Sequence, residues 1–153
     1  YLTSMGVFME NSEEYVVTGN EKIDSILNYM IAKAKNLKID VFWKIQIPEH
    51  LEISVFDINV ILSNLFENAI NALKDVEGSW LWIIMKYDRG ILCISTQNNY
   101  SKESQMSKIS KGHGFGLRNI QRIAEKYHGS LTVRNQDLEF HVSILLFLKD
   151  IDK

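Results

Sequence analysis

Between Lys22 and Leu37 the apolar residues Ile23, Ile26, Leu27, Met30, Ala34 and Leu37 return at the spacing of one helix face. Thr18, with Glu21 three residues later, resembles a capping box and predicts that this helix begins there. Val41 to Ile47 then partly alternates and ends at Pro48, which predicts a strand. Ser54 and Asp57 form a second capping signal ahead of a helical run from Ile58 to Leu73. Trp80 to Tyr87 and Ile91 to Thr96 are rich in β-formers. They flank Asp88-Arg89-Gly90, whose glycine suits a tight hairpin turn, so the two runs should pair antiparallel. Leu117, Ile120, Ile123, Ala124 and Tyr127 mark a third helix closed by Gly129, followed by strands at Ser130–Val133 and Phe140–Phe147. Helices interspersed with such strands predict an α/β (α+β) two-layer sandwich with a largely antiparallel sheet.

Composition narrows this picture. Seventeen Lys+Arg against nineteen Asp+Glu leave a net charge of −2, which gives no general pull toward nucleic acid or an anionic membrane. The single cysteine, Cys93, cannot form an internal disulfide and suits a reducing compartment. No stretch approaches the roughly 20 apolar residues of a membrane-spanning helix. From Gln97 to Lys111 the chain is mostly Ser, Lys, Gln and Asn around isolated Met106 and Ile109. Such a segment is too polar to pack firmly and predicts a mobile loop.

Three stretches carry candidate chemistry. On the second helix, Asn64, Asn68 and Asn71 fall on one narrow polar stripe, because a helix turns once in about 3.6 residues. This could be an ordinary solvent face. Asn is a poor helix former, however, and a carboxamide oxygen is a neutral hard ligand suited to Mg²⁺ that is held mainly by phosphates and water. Lys111-Gly112-His113-Gly114-Phe115-Gly116-Leu117 is a glycine-rich turn opening into a helix, either a plain connector or a phosphate cradle of backbone N–H groups, with Gly116 expected at positive φ. His113 reads as a hydrogen-bonding member of that turn and not as a metal ligand. The strand Ile91–Thr96 runs out into Gln97-Asn98-Asn99, where an amide could read a purine edge, though such a pair after a strand is commonly turn chemistry.

Together these residues resemble the GHKL ATPase superfamily, in particular the catalytic domains of Agr-type (peptide quorum-sensing) sensor histidine kinases. Asn64-Leu65-Phe66-Glu67-Asn68-Ala69-Ile70-Asn71-Ala72 resembles the family's N box, and Gly112-His113-Gly114-Phe115-Gly116-Leu117 with Asn119 its second glycine box. Thr18-Gly19-Asn20 and Ile23-Asp24-Ser25-Ile26-Leu27 resemble the segment before its first helix. The resemblance implies the Bergerat fold, a mixed, mainly antiparallel sheet with three main helices on one face. It also implies ATP lying between the N-box helix and a lid at about 97–116. Residues 1–17 would be the tail of preceding dimerisation helices and 18–150 the ATP-binding domain. Asn68 would hold Mg²⁺, Asn64 would face the phosphates as the catalytic position, the backbone of Gly114, Gly116 and Leu117 would hold them, and Asn98 would meet adenine. No glycine occurs between Gly90 and Gly112, where many histidine kinases have an Asp-x-Gly-x-Gly box. Relatives that hydrolyse ATP carry at the Asn64 position a glutamate that activates water, a proton transfer an amide cannot perform.

The implied reaction is transfer of the γ-phosphate of Mg-ATP to a histidine on a separate dimerisation domain. None of His50, His113, His128 and His141 falls on a suitable exposed helix. The implied setting is the cytoplasmic part of a membrane-anchored, homodimeric bacterial sensor with a response regulator as partner. A serine kinase of the anti-sigma-factor type and a non-catalytic nucleotide-binding module are the alternatives.

Overall fold

The computed structural model describes residues 15–100 and 114–149, the side chains of Gly114 and Phe115 excepted. The elements are α1 (Glu21–Asn36), β1 (Asp40–Gln46), α2 (Val55–Leu73), β2 (Trp80–Asp88), β3 (Ile91–Asn99), α3 (Gly114–Lys126), β4 (Ser130–Gln136) and β5 (Glu139–Phe147). They form a five-stranded sheet in the order β1-β2-β3-β5-β4. Only β1 and β2 run parallel, joined by α2 as the crossover, and the other pairings are antiparallel.

Register carries one apolar row across the whole sheet. Ile45 stands opposite Met85, Met85 opposite Ile94, Ile94 opposite Ile144, and Ile144 opposite Leu131. The inward residues of β1, β2, β3 and β5 are buried, together with Leu27 and Ile31 of α1, Ile61, Leu65 and Phe66 of α2, and Ile120 and Ala124 of α3. A single core therefore lies between the sheet and the helices, and its period-2 and period-3.6 stripes are those of the sequence. Among the described residues no helix is long and apolar enough to cross a membrane.

Some element ends differ from expectation. Asn20, not Thr18, caps α1, its side chain accepting from the Ile23 N–H at 3.2 Å. Thr18 instead binds Asp24, through its hydroxyl at 2.6 Å and its N–H at 2.8 Å, so Asp24 folds the Thr-Gly-Asn turn against the helix. Leu37 is the C-cap and 44% exposed, which removes it from the core stripe. Upstream, the Asn28 carboxamide accepts from Val16 N–H at 2.7 Å and donates to Val16 O at 3.0 Å, holding the buried Val16 against α1.

The β2–β3 hairpin turns through Arg89 and Gly90, both at positive φ, as the primed two-residue turn requires. The β4–β5 hairpin uses the same geometry at Asp137 and Leu138 without any glycine. Helix α3 was expected to close on Gly129. The left-handed residue is His128, at φ 60, and Gly129 serves another purpose: a Cβ there would lie 1.6 Å from Leu145 O.

Candidate functional site at the junction of α2 and α3

Helix α2 starts where Ser54 Oγ accepts from the Asp57 N–H at 3.0 Å, so the expected cap is present. Its apolar positions take the core, leaving Asn64 and Asn68, one turn apart, half-buried toward α3, while Asn71 is exposed. The amide stripe is thus only partly a solvent face. A Cβ on Gly116 would stand 3.2 Å from Asn64 Oδ1 and 3.6 Å from Asn68 Oδ1. Gly116 is therefore the point at which the first turn of α3 meets both amides.

Gly114 and Gly116 lie inside that first turn, so α3 begins earlier than the expected start at Leu117. Gly116 is helical and not at positive φ, which corrects the expectation for this residue. Its lack of a side chain keeps the approach to Asn64 and Asn68 open. The first four N–H groups of an α-helix have no partner within it, so those of Gly114, Phe115, Gly116 and Leu117 are the donors at this end, while the Leu117 side chain packs on the core. Lys111, Gly112 and His113 lie outside the described residues.

The amides themselves are polarised. Asn64 Nδ2 donates to Val60 O of its own helix at 2.8 Å, leaving Oδ1 as its available end. Among the described residues, Asn68 Nδ2 is buried with no hydrogen-bond partner, a cost a native fold normally avoids. Two carboxamide oxygens, an orphaned amide donor and a helix N-terminus converge here. Donor groups and the helix dipole suit an anion with several oxygens, and the carboxamide oxygens suit a hard divalent cation such as Mg²⁺. No group of three or more His, Cys, Asp and Glu residues that could hold a metal ion occurs among the described residues.

Asn98 lies in the sheet layer. Strand β3 continues through Gln97, Asn98 and Asn99, which corrects both the reading of this pair as a turn and the expected start of the lid at 97. Asn98 is 1% exposed on the helix-facing side, aligned between Leu81 and Phe140. Its Nδ2 donates to Asn99 O at 2.8 Å, which fixes the orientation of the carboxamide. Asn99 has a structural part: it accepts from Trp80 N–H at 2.9 Å and donates to Gly78 O at 3.1 Å.

Sequence reasoning missed a cluster at the other end of the helix pair. Asp57 is 4% exposed, and its Oδ2 receives Lys126 Nζ at 2.8 Å and the Tyr127 hydroxyl at 2.5 Å. Burial works against the Asp57 charge, but the bonds from Lys126, Tyr127 and Ser54 outweigh it and hold the carboxyl below its usual value. The hydrogen bond to Asp57 raises Lys126, and burial together with that carboxylate raises Tyr127. The capping pattern named Asp57, and nothing in the linear sequence pointed to partners so distant along the chain.

Gly116→Val should crowd Asn64 and Asn68 in a chain that still folds. The Val side chain would fill the space between the first turn of α3 and the two amide oxygens that a bound triphosphate needs, so affinity should fall by roughly tenfold or more, about 1.4 kcal/mol. Tight nucleotide binding by the folded variant would reduce the glycine run to a connector.

A family model described as the GHKL domain matches residues 53–147. No curated protein matches the sequence. Among solved structures, the catalytic domain of the histidine kinase ThkA in a nucleotide-free form is similar at a TM-score of 0.67 and 20% identity, covering 85% of this chain and 94% of that one. The mycobacterial sensor histidine kinase MprB gives 0.62 at 15% identity, over 86% and 96%. The Acinetobacter baumannii histidine kinase AdeS gives 0.63 at 15% identity, over 85% and 64%. The likeness is one of fold: a five-stranded mixed sheet and three helices in the Bergerat arrangement.

Proposed function

This chain belongs to the GHKL domain family, and on that premise we propose that it is the ATP-binding catalytic domain of a two-component sensor histidine kinase. The observation that carries the reading is the meeting of Asn64 Oδ1, Asn68 Oδ1 and the buried Asn68 Nδ2, unpartnered among the described residues, at the first turn of α3. The N–H groups of that turn bind phosphate oxygens, with Lys111, Gly112 and His113 completing the cradle. Asn68 Oδ1 is the protein ligand for Mg²⁺, and Asn64 Oδ1 stands one turn away on the same side. Bound there, Mg²⁺ supplies neutralisation of charge on the phosphoryl group in transfer. Asn98 Oδ1, fixed as an acceptor by the bond from its own Nδ2 to Asn99 O, suits the amino group of adenine.

Asn64 cannot act as a base toward water, which favours transfer to another protein over hydrolysis. The acceptor is a histidine outside this chain. Of the described histidines, His50 lies in a loop, His128 beyond the end of α3 and His141 on β5, none on a helix. Residues 1–17 are read as the tail of dimerisation helices and 18–150 as the catalytic domain. The full protein is then a homodimeric, membrane-anchored sensor with this part in the cytoplasm and a response regulator as its partner. Placement among Agr-type kinases rests on the Thr18-Gly19-Asn20 turn and the Ile23-Asp24-Ser25-Ile26-Leu27 segment.

The test is incubation with γ-labelled Mg-ATP, alone and with the separate dimerisation domain. The chain alone should stay unlabelled. The added domain should be labelled weakly, because covalent linkage no longer supplies a high effective concentration. The label should be acid-labile and alkali-stable. Acid-stable label on this chain would favour a serine kinase, and ATP binding with no transfer at all would favour a nucleotide-binding module.

A further inference from the structure

The helix pair α2–α3 is fastened at two ends. At one, Gly116 meets Asn64 and Asn68. At the other, the Asp57 carboxylate in the first turn of α2 receives Lys126 and Tyr127 from the end of α3. With a rise of about 1.5 Å per residue, Asn64 and Asn68 lie roughly 10 and 16 Å from Asp57 along α2, and Gly116 lies about 15 Å from Lys126 along α3. The two fastenings thus close the opposite ends of one antiparallel segment. The Tyr127 hydroxyl also accepts from Ser54 N–H at 3.4 Å, which ties the knot to the cap of α2.

We infer that Asp57, Lys126 and Tyr127 are positioning residues for the nucleotide site: their hydrogen bonds set the axial register of α3 against α2, and so the placement of the first-turn N–H groups of α3 over Asn64 and Asn68. Ridge-into-groove packing between helices is non-directional in its energy and is compatible with more than one axial register. A buried, directional carboxylate knot fixes one register. None of the three residues touches the site. The inference rests on the nucleotide reading given under Proposed function.

Charge gives the test its sign. Removing the Asp57 charge beyond a Debye length from an anionic ligand has little Coulombic effect, and that effect would slightly favour ATP. A positioning role predicts the opposite. Calorimetric titration of the folded chain with Mg-ATP should show Asp57→Asn weakening binding about tenfold and Tyr127→Phe about threefold. In an Asn68→Ala background, Asp57→Asn should add less than about twofold, because sites this far apart otherwise act additively. Wild-type affinity in folded Asp57→Asn, or full additivity with Asn68→Ala, would overturn the inference alone. A wild-type chain that binds no Mg-ATP would overturn the functional reading and the inference with it. If Asp57→Asn does not fold, the same cycle run with Tyr127→Phe, which deletes one hydroxyl, decides between the same outcomes.

Discussion

Asn68→Asp should lose Mg-ATP binding by about a hundredfold or more, a change of roughly 2.7 kcal/mol, while the apo chain keeps or gains thermal stability. The substitution preserves size and replaces the orphaned Nδ2 donor with an acceptor. A carboxylate there faces the first turn of α3, where the helix dipole and unpaired N–H groups favour negative charge. It would therefore occupy in the free protein the place the phosphates need, and would repel them as well. Two unit charges about 4 Å apart interact by about 4 kcal/mol at an effective dielectric of 20, enough to outweigh most small gains elsewhere. The measurement is thermal unfolding with and without Mg-ATP beside calorimetric titration. Wild-type affinity in the folded variant would remove Asn68 as a ligand, and a lower apo melting temperature would contradict the local electrostatics.

Gly129→Ala carries the largest expected effect on folding. The added Cβ would lie 1.6 Å from Leu145 O and 2.7 Å from Leu145 C, both backbone atoms of β5. That strand is paired with β3 on one side and β4 on the other, so Leu145 cannot retreat without breaking a ladder. Gly129 N–H also donates to Ala124 O at 2.7 Å, which holds the glycine in place. The cost should be about 3 kcal/mol or more, a fall in melting temperature on the order of 10 °C, or loss of soluble protein. His128→Gly is the control. It places glycine where φ is positive and should be tolerated or mildly stabilising. If Gly129→Ala melted like the wild type, the close approach to β5 would be wrong.

These two glycines show where sequence was sufficient and where it was not. Gly116 and Gly129 are visible as glycines, and each was given a conformational reason. Each is instead needed for space, against Asn64 and Asn68 in one case and Leu145 in the other, and space depends on neighbours distant in the chain. The helices and the strand alternation were legible because their periods are local. The parallel pairing of β1 with β2 was not specified, since nothing in either strand names its partner. The Asp137-Leu138 turn was illegible because its second residue, Leu138, takes a left-handed conformation that its side chain disfavours. At the site, the Asn64/Asn68 stripe could be read from spacing, and the polarity of those amides could not. The knot of Asp57, Lys126 and Tyr127 exists only once α2 and α3 are antiparallel.

Tyr100 closes strand β3 with its ring in the core, its N–H on Leu138 O at 3.2 Å and its hydroxyl on Asn135. The stretch that follows is thus bounded by a firm post on the sheet and, at Gly114, by the start of a packed helix. Because Tyr100 bonds both Leu138 O and Asn135, the end of β3 and the β4–β5 hairpin are tied together, and a load placed on either is carried to the other.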